Sequence, residues 1–399
     1  MKQLTRMAAL VLSAILAIFL IIPSGMAASA PLYSADSLFT DRDLKQEADL
    51  SEAVRYTVAD GQDIRITSAG VYVLSGEASG VTVYVEAGTE DRVQLVLQGL
   101  TVTNRNFPVI YVKSADKVFI TTAADSTLSV TETFVSDGDT HTDGVIFSRT
   151  DLTLNGTAVL NLSSAENGIA GKDDLKITGG TYVIRAGSKA VEANDSIRIA
   201  GGTLQLTAGT DGLHAENSDD PVKGYIYIGG GNLTVSAGDD AVHAQSAVQV
   251  DGGTLSLTGA EGIEATYIQL NGGTLSIQAS DDGINAARKS SAYTPTVEIN
   301  DGEITVAMGG GDTDGIDSNG NIIVNGGTVN VTGNSSFDYD GTAQFNGGTI
   351  IVNGQQVSSI PNQMMGGFGG GGFGGGFGGN FGGGDRGGFG GGRRGNGGR

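Results

Sequence analysis

Cysteine is absent from this chain of 399 residues. Neither a disulfide framework nor a thiol nucleophile is therefore available. Histidine is scarce at three residues, and two of them, His214 and His243, fall within one repeated pattern described below. Positive charge is also short, with 23 Lys and Arg against 44 Asp and Glu. Two of the bases precede residue 28 and four follow residue 364, which leaves 17 bases against 43 acids in residues 28–364. A body so negative repels nucleic acid and anionic lipid unless cations intervene. No stretch resembles a basic groove with aromatic platforms, so nucleic acid is not an expected partner.

What the chain does have begins with a secretory signature. Lys2 and Arg6 precede the apolar run 7–22, and the small-residue stretch "PSGMAASA" follows. This pattern predicts a signal peptide over residues 1–27, cut after Ala27. An uncleaved anchor is the other reading, since the run is about as long as a short membrane span. The expected protein is secreted, extracellular or held at the cell surface, with no membrane insertion after cleavage. Calcium is abundant there, and weak oxygen-ligand sites fill. At the other end, residues 362–399 are glycine with periodic phenylalanine and terminal arginine. With little to bury and much backbone entropy to lose, this tail is expected to be disordered, as a passive spacer or a weakly basic tether.

Between these ends the sequence repeats. Eight segments align on a Gly-Gly or Asp-Gly turn, among them "IRIAGGTLQL", "VQVDGGTLSL", "IQLNGGTLSI" and "IIVNGGTVNV". The residue after the turn pair falls at 181, 203, 232, 254, 274, 303, 328 and 349, a mean period of 24. Apolar residues alternate on either side, as in Ile197, Ile199, Leu204 and Leu206, which is strand periodicity broken by glycine. Two short strands cannot bury their own apolar face, whereas stacked copies can. The period, with no helical stretch inside it, predicts an all-β fold: a right-handed parallel β-helix, or solenoid. Looser strand-like segments upstream extend the solenoid over about residues 57–355. The stretch "TDRDLKQEADLSEA" (40–53) is expected to form a short N-terminal capping helix, with Thr40 as its N-cap.

A second pattern follows the turns. Successive coils carry "TDGLHA" (210–215), "DDAVHA" (239–244), "AEGIEA" (260–265), "DDGINA" (281–286) and "TDGIDS" (313–318). One polar column holds Asp211, Asp240, Glu261, Asp282 and Asp314; another, three residues on, holds His214, His243, Glu264, Asn285 and Asp317. An apolar column, Leu213, Val242, Ile263, Ile284 and Ile316, lies between them and is expected to point inward. Asn167 and Lys189 break the first column upstream, while Asp338 and Asp340 extend the pattern downstream. Equivalent residues of adjacent coils lie about 4.8 Å apart. At that spacing two unit charges repel by about 3 kcal/mol at an effective dielectric of 20. Either some carboxyl groups hold their protons or cations bridge the ladder. Calcium suits the second solution, because it takes six to eight oxygens.

The expected metal ligands are Asp211, Asp240, His243, Glu261, Glu264, Asp282, Asn285, Asp314 and Asp317, with Asp239, Asp281 and Asp312 at the edge. Ordinary turn chemistry is the competing reading, since Asp and Asn bond nearby backbone in turns. For His214 and His243, a hydrogen-bonded corner pair competes with a transition-metal site or an acid–base pair.

Two coils carry insertions after the hexapeptide, "ENSDDPVKGY" (216–225) and "ARKSSAYTP" (287–295). Insertions on one face of a solenoid often form its binding surface. Lys223, Arg288 and Lys289 are candidates to meet a uronate carboxylate, and Tyr225 and Tyr293 to stack on a sugar ring. Solvated loop charge is the alternative.

With this ladder and the segments "KDDLKITGGT", "SIRIAGGT", "KGYIYIGGG" and "FTDRDLKQ" in view, residues 37–355 resemble a family of secreted carbohydrate-binding β-helix proteins. Its studied type binds cellulose and polygalacturonate, and it is related to family 9 polysaccharide lyases. The resemblance implies a right-handed parallel β-helix with bound calcium. It also implies that the pairs Asp239–Asp240 and Asp281–Asp282, each with the residue three on, correspond to the lyase calcium cluster. His243 and Asn285 depart from that pattern, which has a third Asp there. A lyase needs a base for the proton α to the uronate carboxylate, and the ladder coils offer none on the strand face. A uniform ladder also singles out no carboxylate pair for hydrolysis. The expected function is therefore non-catalytic binding of an acidic or plant cell-wall polysaccharide by a monomer, with calcium as the cofactor. A calcium-dependent lyase and a surface adhesion or matrix protein are the alternatives.

Overall fold

Short strands and glycine turns account for nearly all of the computed structural model, which describes residues 30–310 and 313–362. The expected signal segment 1–27, the tail beyond Asn362 and the candidate ligand Asp312 lie outside the described residues. Each repeat contributes three strands, as in Ser196–Ile199, Thr203–Ala208 and Leu213–Ala215. Among the described residues, the first two of each set join a 24-stranded sheet and the third joins a 12-stranded sheet. Neighbouring repeats pair in parallel throughout. At the C-terminal end, Gln355–Val357 folds back antiparallel on Thr349–Val352 and ends the ladder. The chain is thus an all-β stack of parallel strands with solenoid-like repetition.

The aligned turn residues stand in register: Thr181 pairs with Thr203, then Asn232, Thr254, Thr274, Glu303, Thr328 and Thr349 in turn. Strand alternation sets which side chains go inside. In Thr203–Ala208, Leu204 and Leu206 are buried while Gln205 and Thr207 are exposed. Ile197, Ile199, Leu204, Leu206 and Leu213 all belong to one continuous apolar core. Each such side chain contributes about 1.5–3 kcal/mol by leaving water.

The turn needs glycine at its second position. From Gly180 to Gly348 these glycines have φ between 73° and 108°, a region that residues with a Cβ rarely enter. A Cβ at Gly273 would also meet the Gly253 carbonyl oxygen at 2.9 Å. Beside the turn, Asn271, Asn300, Asn325 and Asn346 form a side-chain ladder. Each amide after the first donates to the one before it, at 2.8, 2.7 and 2.7 Å. Stacking between successive repeats explains this asparagine column without a ligand.

The stretch 40–53 is not helical. The short helix is Ala35–Leu38, and 41–44 form a turn. Thr40 does cap that turn, its amide donating to Asp43 Oδ2 at 2.9 Å and its hydroxyl accepting from the Asp43 amide at 3.3 Å. The segment then lies along the outer side of the large sheet instead of across an open end. Asp43 is wholly buried there against Lys117 Nζ at 2.5 Å and Lys176 Nζ at 3.2 Å. Burial alone would raise its pKa, but Lys117, the Thr40 amide and Lys176 outweigh that and hold it below the usual carboxylate range. Two facing lysines and a sheet surface favour this course over a helical turn that would leave Asp43 unpaired.

Candidate functional site

The third strands of consecutive repeats build the candidate site. Their register places Glu192, His214, His243, Glu264, Asn285, Asp317 and Asp338 in one column. The apolar residues one step earlier, Leu213, Val242, Ile263, Ile284 and Ile316, are fully buried. Sequence alignment placed five members of the polar column and missed Glu192. The segment "KAVEAN" carries the same spacing, so the signal was present behind Lys189. Asp338 joins the column, whereas Asp340 is exposed at its strand's end.

Two members of the first polar column are engaged with backbone. Asp211 Oδ1 accepts from the Asp240 amide at 3.2 Å, and Asp282 Oδ1 from the Asp314 amide at 3.1 Å. Each carboxylate thereby caps the neighbouring coil. Asp239 and Asp281 are exposed at the edge.

Base-paired rungs fill one end of the second column. Glu192 meets Lys189 at 3.0 Å. His214 Nδ1 lies 2.8 Å from Asp211 Oδ2, though off the line a hydrogen bond requires, and its Nε2 lies 3.3 Å from Glu216. His243 Nδ1 sits between Asp240 at 2.7 Å and Glu264 at 2.9 Å. Burial disfavours its charge, but the two carboxylates prevail and raise its pKa to about 9. Lys289 Nζ then reaches Glu264 at 2.7 Å. Burial would raise the Glu264 carboxyl, yet His243 and Lys289 bring it down to about 2.

Beyond Lys289 the two columns change character. Among the described residues, no ion pair reaches Glu261, Asp282, Asp317 or Asp338. Burial, followed by Glu264 and Asp240, pushes Glu261 up to about 8. Burial also pushes Asp282 up to about 6, with Asp281 and Asp314 adding to it. Asp317 rises to about 7 through burial and then Asp282 and Asp338. Asn285 donates through Nδ2 to both Glu261 oxygens at 3.2 Å, while its buried Oδ1 has no partner. Asp338 Oδ1 is likewise buried without one.

The two insertions meet beside this column. Ser290 Oγ donates to the Pro221 carbonyl at 2.5 Å, and the Ser290 amide donates to Thr266 Oγ1 at 2.8 Å. Lys223, Tyr225 and Tyr293 line one cleft of about 380 Å³, and Arg288, Lys289 and Tyr293 line another of about 410 Å³. The first also holds Tyr33, Asp174, Asp195 and Arg198, which sequence reasoning did not single out. Its cations are engaged, Lys223 with Asp195 and Arg198 with Asp174, both at 2.5 Å. Tyr33 stacks on Tyr225 with ring centroids 4.3 Å apart, covering one face of that ring. Arg288 is exposed.

Comparison with known proteins adds a family. The model described as carbohydrate-binding domain-containing protein matches residues 60–267 and 259–356. A relative of the same description from Acetivibrio thermocellus is 43% identical over 169 residues, which are 41% of this chain and 59% of that protein. The chain thus spans about three fifths of the length of that relative. A solved structure described as the polysaccharide lyase-like protein from C. thermocellum, gadolinium derivative, aligns with TM-score 0.46 and 29% identity. The alignment covers 55% of this chain and 92% of that one.

Proposed function

The chain belongs to the carbohydrate-binding domain-containing proteins, and from that premise we propose that it binds an acidic cell-wall polysaccharide, such as polygalacturonate, without cleaving it. In this reading the fold is a right-handed parallel β-helix, exported and freed of residues 1–27, acting as a monomer. Calcium bridges the acidic rungs to uronate carboxylates, which lets a strongly negative body hold an anionic polymer.

The observation that carries the proposal is the change in the columns at Lys289. On one side the acids are balanced by Lys189, His243 and Lys289. On the other, half-buried acids crowd one another and Asn285 Oδ1 has no partner. Glu261, Asp282, Asn285, Asp317 and Asp338 offer only oxygen donors on that side, the set a calcium ion takes. Asp314, on the same coil as Asp317, adds a carboxylate in the first column. When bound, calcium would supply positive charge between carboxylates, and these residues would hold it.

Binding is favoured over lyase chemistry by the state of the bases. Burial tends to discharge Lys289, but Glu264 outweighs that and raises its pKa. Asp195 raises that of Lys223. Lysines so held keep their protons and are poor general bases.

Retention on insoluble polygalacturonate, compared with and without EDTA, tests the proposal. Calcium-dependent retention that Asp317→Asn weakens about tenfold is the expected result. Chelator-insensitive retention, or steady release of unsaturated product, would count against it.

A further inference from the structure

His214 and His243 are stacked in register on adjacent rungs, with ring centroids 4.6 Å apart and planes within 13° of each other. His243 Nδ1 is bound to Asp240 at 2.7 Å, and His214 Nδ1 faces Asp211 at 2.8 Å. A carboxylate at Nδ1 holds a proton on that nitrogen, so Nε2 is the atom each ring would turn to a metal, giving up any proton it carries there as the ion binds. Glu216 lies just past the end of the strand Leu213–Ala215, and its Oε2 is 3.3 Å from His214 Nε2. One ligand atom from each of His214, Glu216 and His243 lies within 4.8 Å of the others.

We propose that His214, His243 and Glu216 form a site for a borderline divalent transition metal, with zinc as its reference ion, separate from the oxygen-only rungs. The donor chemistry sets the class. Calcium and magnesium seek oxygen, whereas imidazole suits zinc, copper and nickel. Two nitrogens and one carboxylate leave a fourth position for water or a ligand oxygen, as in open zinc sites. A tetrahedral zinc with bonds near 2.0–2.1 Å would hold the two nitrogens about 3.3 Å apart. Binding one ion therefore requires the stacked rings to tilt toward each other at their Nε2 edges. The exposed Glu216 side chain, at 60%, is free to swing onto the ion.

The inner face of the pair carries further support. His214 Nδ1 is buried and lacks a hydrogen bond of good geometry despite its closeness to Asp211. A small rotation of the ring toward a metal at Nε2 brings Nδ1–H onto that carboxylate. Metal binding would complete the contact, so that both imidazoles become carboxylate-anchored ligands.

The test is zinc titration of the purified chain by calorimetry in millimolar calcium, so that oxygen-only sites are filled, with cobalt absorption as an independent readout. One equivalent of zinc binding at micromolar affinity is expected, with cobalt giving the visible bands of a nitrogen-ligated tetrahedral ion. His214→Gln and His243→Gln should each weaken zinc at least tenfold, and Glu216→Gln several-fold. His141→Gln, at the remaining histidine, should leave it unchanged. Glu216 is exposed, so that variant folds even if a histidine change disturbs the stack. Absence of stoichiometric zinc uptake, or uptake that both His214→Gln and Glu216→Gln leave unchanged, overturns the proposal.

Discussion

Lys289 Nζ lies 2.7 Å from Glu264 Oε1 and ends the base-paired part of the polar column. This lysine comes from an inserted loop, while Glu264 comes from the strand Ile263–Ala265 of the preceding repeat. Its side chain is 36% exposed, so solvent screens much of the pairing. Lys289→Met should cost about 0.5–1 kcal/mol in urea unfolding. It also removes a positive charge next to the acidic rungs and should tighten calcium binding about threefold. An unchanged calcium affinity in that variant would place the ion far from Glu264.

The acidic rungs make the calcium-free protein sensitive to base. Glu261, Asp282 and Asp317 have pKa values raised to about 8, 6 and 7, so the folded state holds protons that the unfolded state has released. Stability must then fall as pH rises from the ordinary carboxyl range through 8. His243 adds to the same trend: its pKa of about 9 gives stabilisation that is full below about 6.5 and is lost as pH climbs through 9. Glu264 works at the other end. Its pKa near 2 gives stability that is present above about 4.5 and is lost as pH falls toward 2. In EDTA, Tm should therefore peak near pH 5 and drop by several degrees by pH 8.5, and calcium should restore it at the higher pH. A flat profile across pH 5–8.5 would contradict the crowding of these acids.

The glycine turns allow a paired test of the fold. Gly273 has φ of 91°, and a Cβ there would meet backbone of the previous repeat at 2.9 Å. Gly201 takes the first place of its turn pair, and a Cβ there has nothing within 4 Å. Gly273→Ala should cost about 2 kcal/mol or more, while Gly201→Ala should stay within about 0.5 kcal/mol. Chemical denaturation of both variants checks the contrast, and equal costs would contradict the turn geometry.

Much of this was legible because repetition writes the same contact many times. A period of 24 and strand alternation located the stacked register from Thr181 to Thr349, and the hexapeptides located the inward Ile and Val column. Contacts made once, between distant segments, left no such trace. Nothing local to Lys289 marks Glu264 as its partner, and nothing in "TDRDLKQ" says that Asp43 meets Lys176, 133 residues away. Thr40 and the acids after it satisfy the local signals of a helix start, yet the lysines of the sheet decide the outcome. Glu192 shows a different failure. Its repeat carries Lys189 in place of an acid, so the coil read as a break in the ladder when it is the rung where base pairing begins.

That N-terminal course yields the last prediction. Asp43 is wholly buried, and the side chains of Lys117 and Lys176 facing it are only 13% and 9% exposed. Removing the carboxylate leaves two largely buried ammonium groups without a counter-charge, a change that typically costs about 3–5 kcal/mol. Asp43→Ala should lose about 3 kcal/mol in urea unfolding and expose residues 40–53 to protease. Adding Lys176→Met to Asp43→Ala should recover part of the loss, because one of the stranded charges goes with it. A capping helix over 40–53 would respond differently, since Asp43 in a first turn contributes no more than about 1 kcal/mol through the helix dipole and Lys176 would not couple to it. A small loss for Asp43→Ala with no recovery in the double variant would therefore restore the helix and remove the segment from the sheet face.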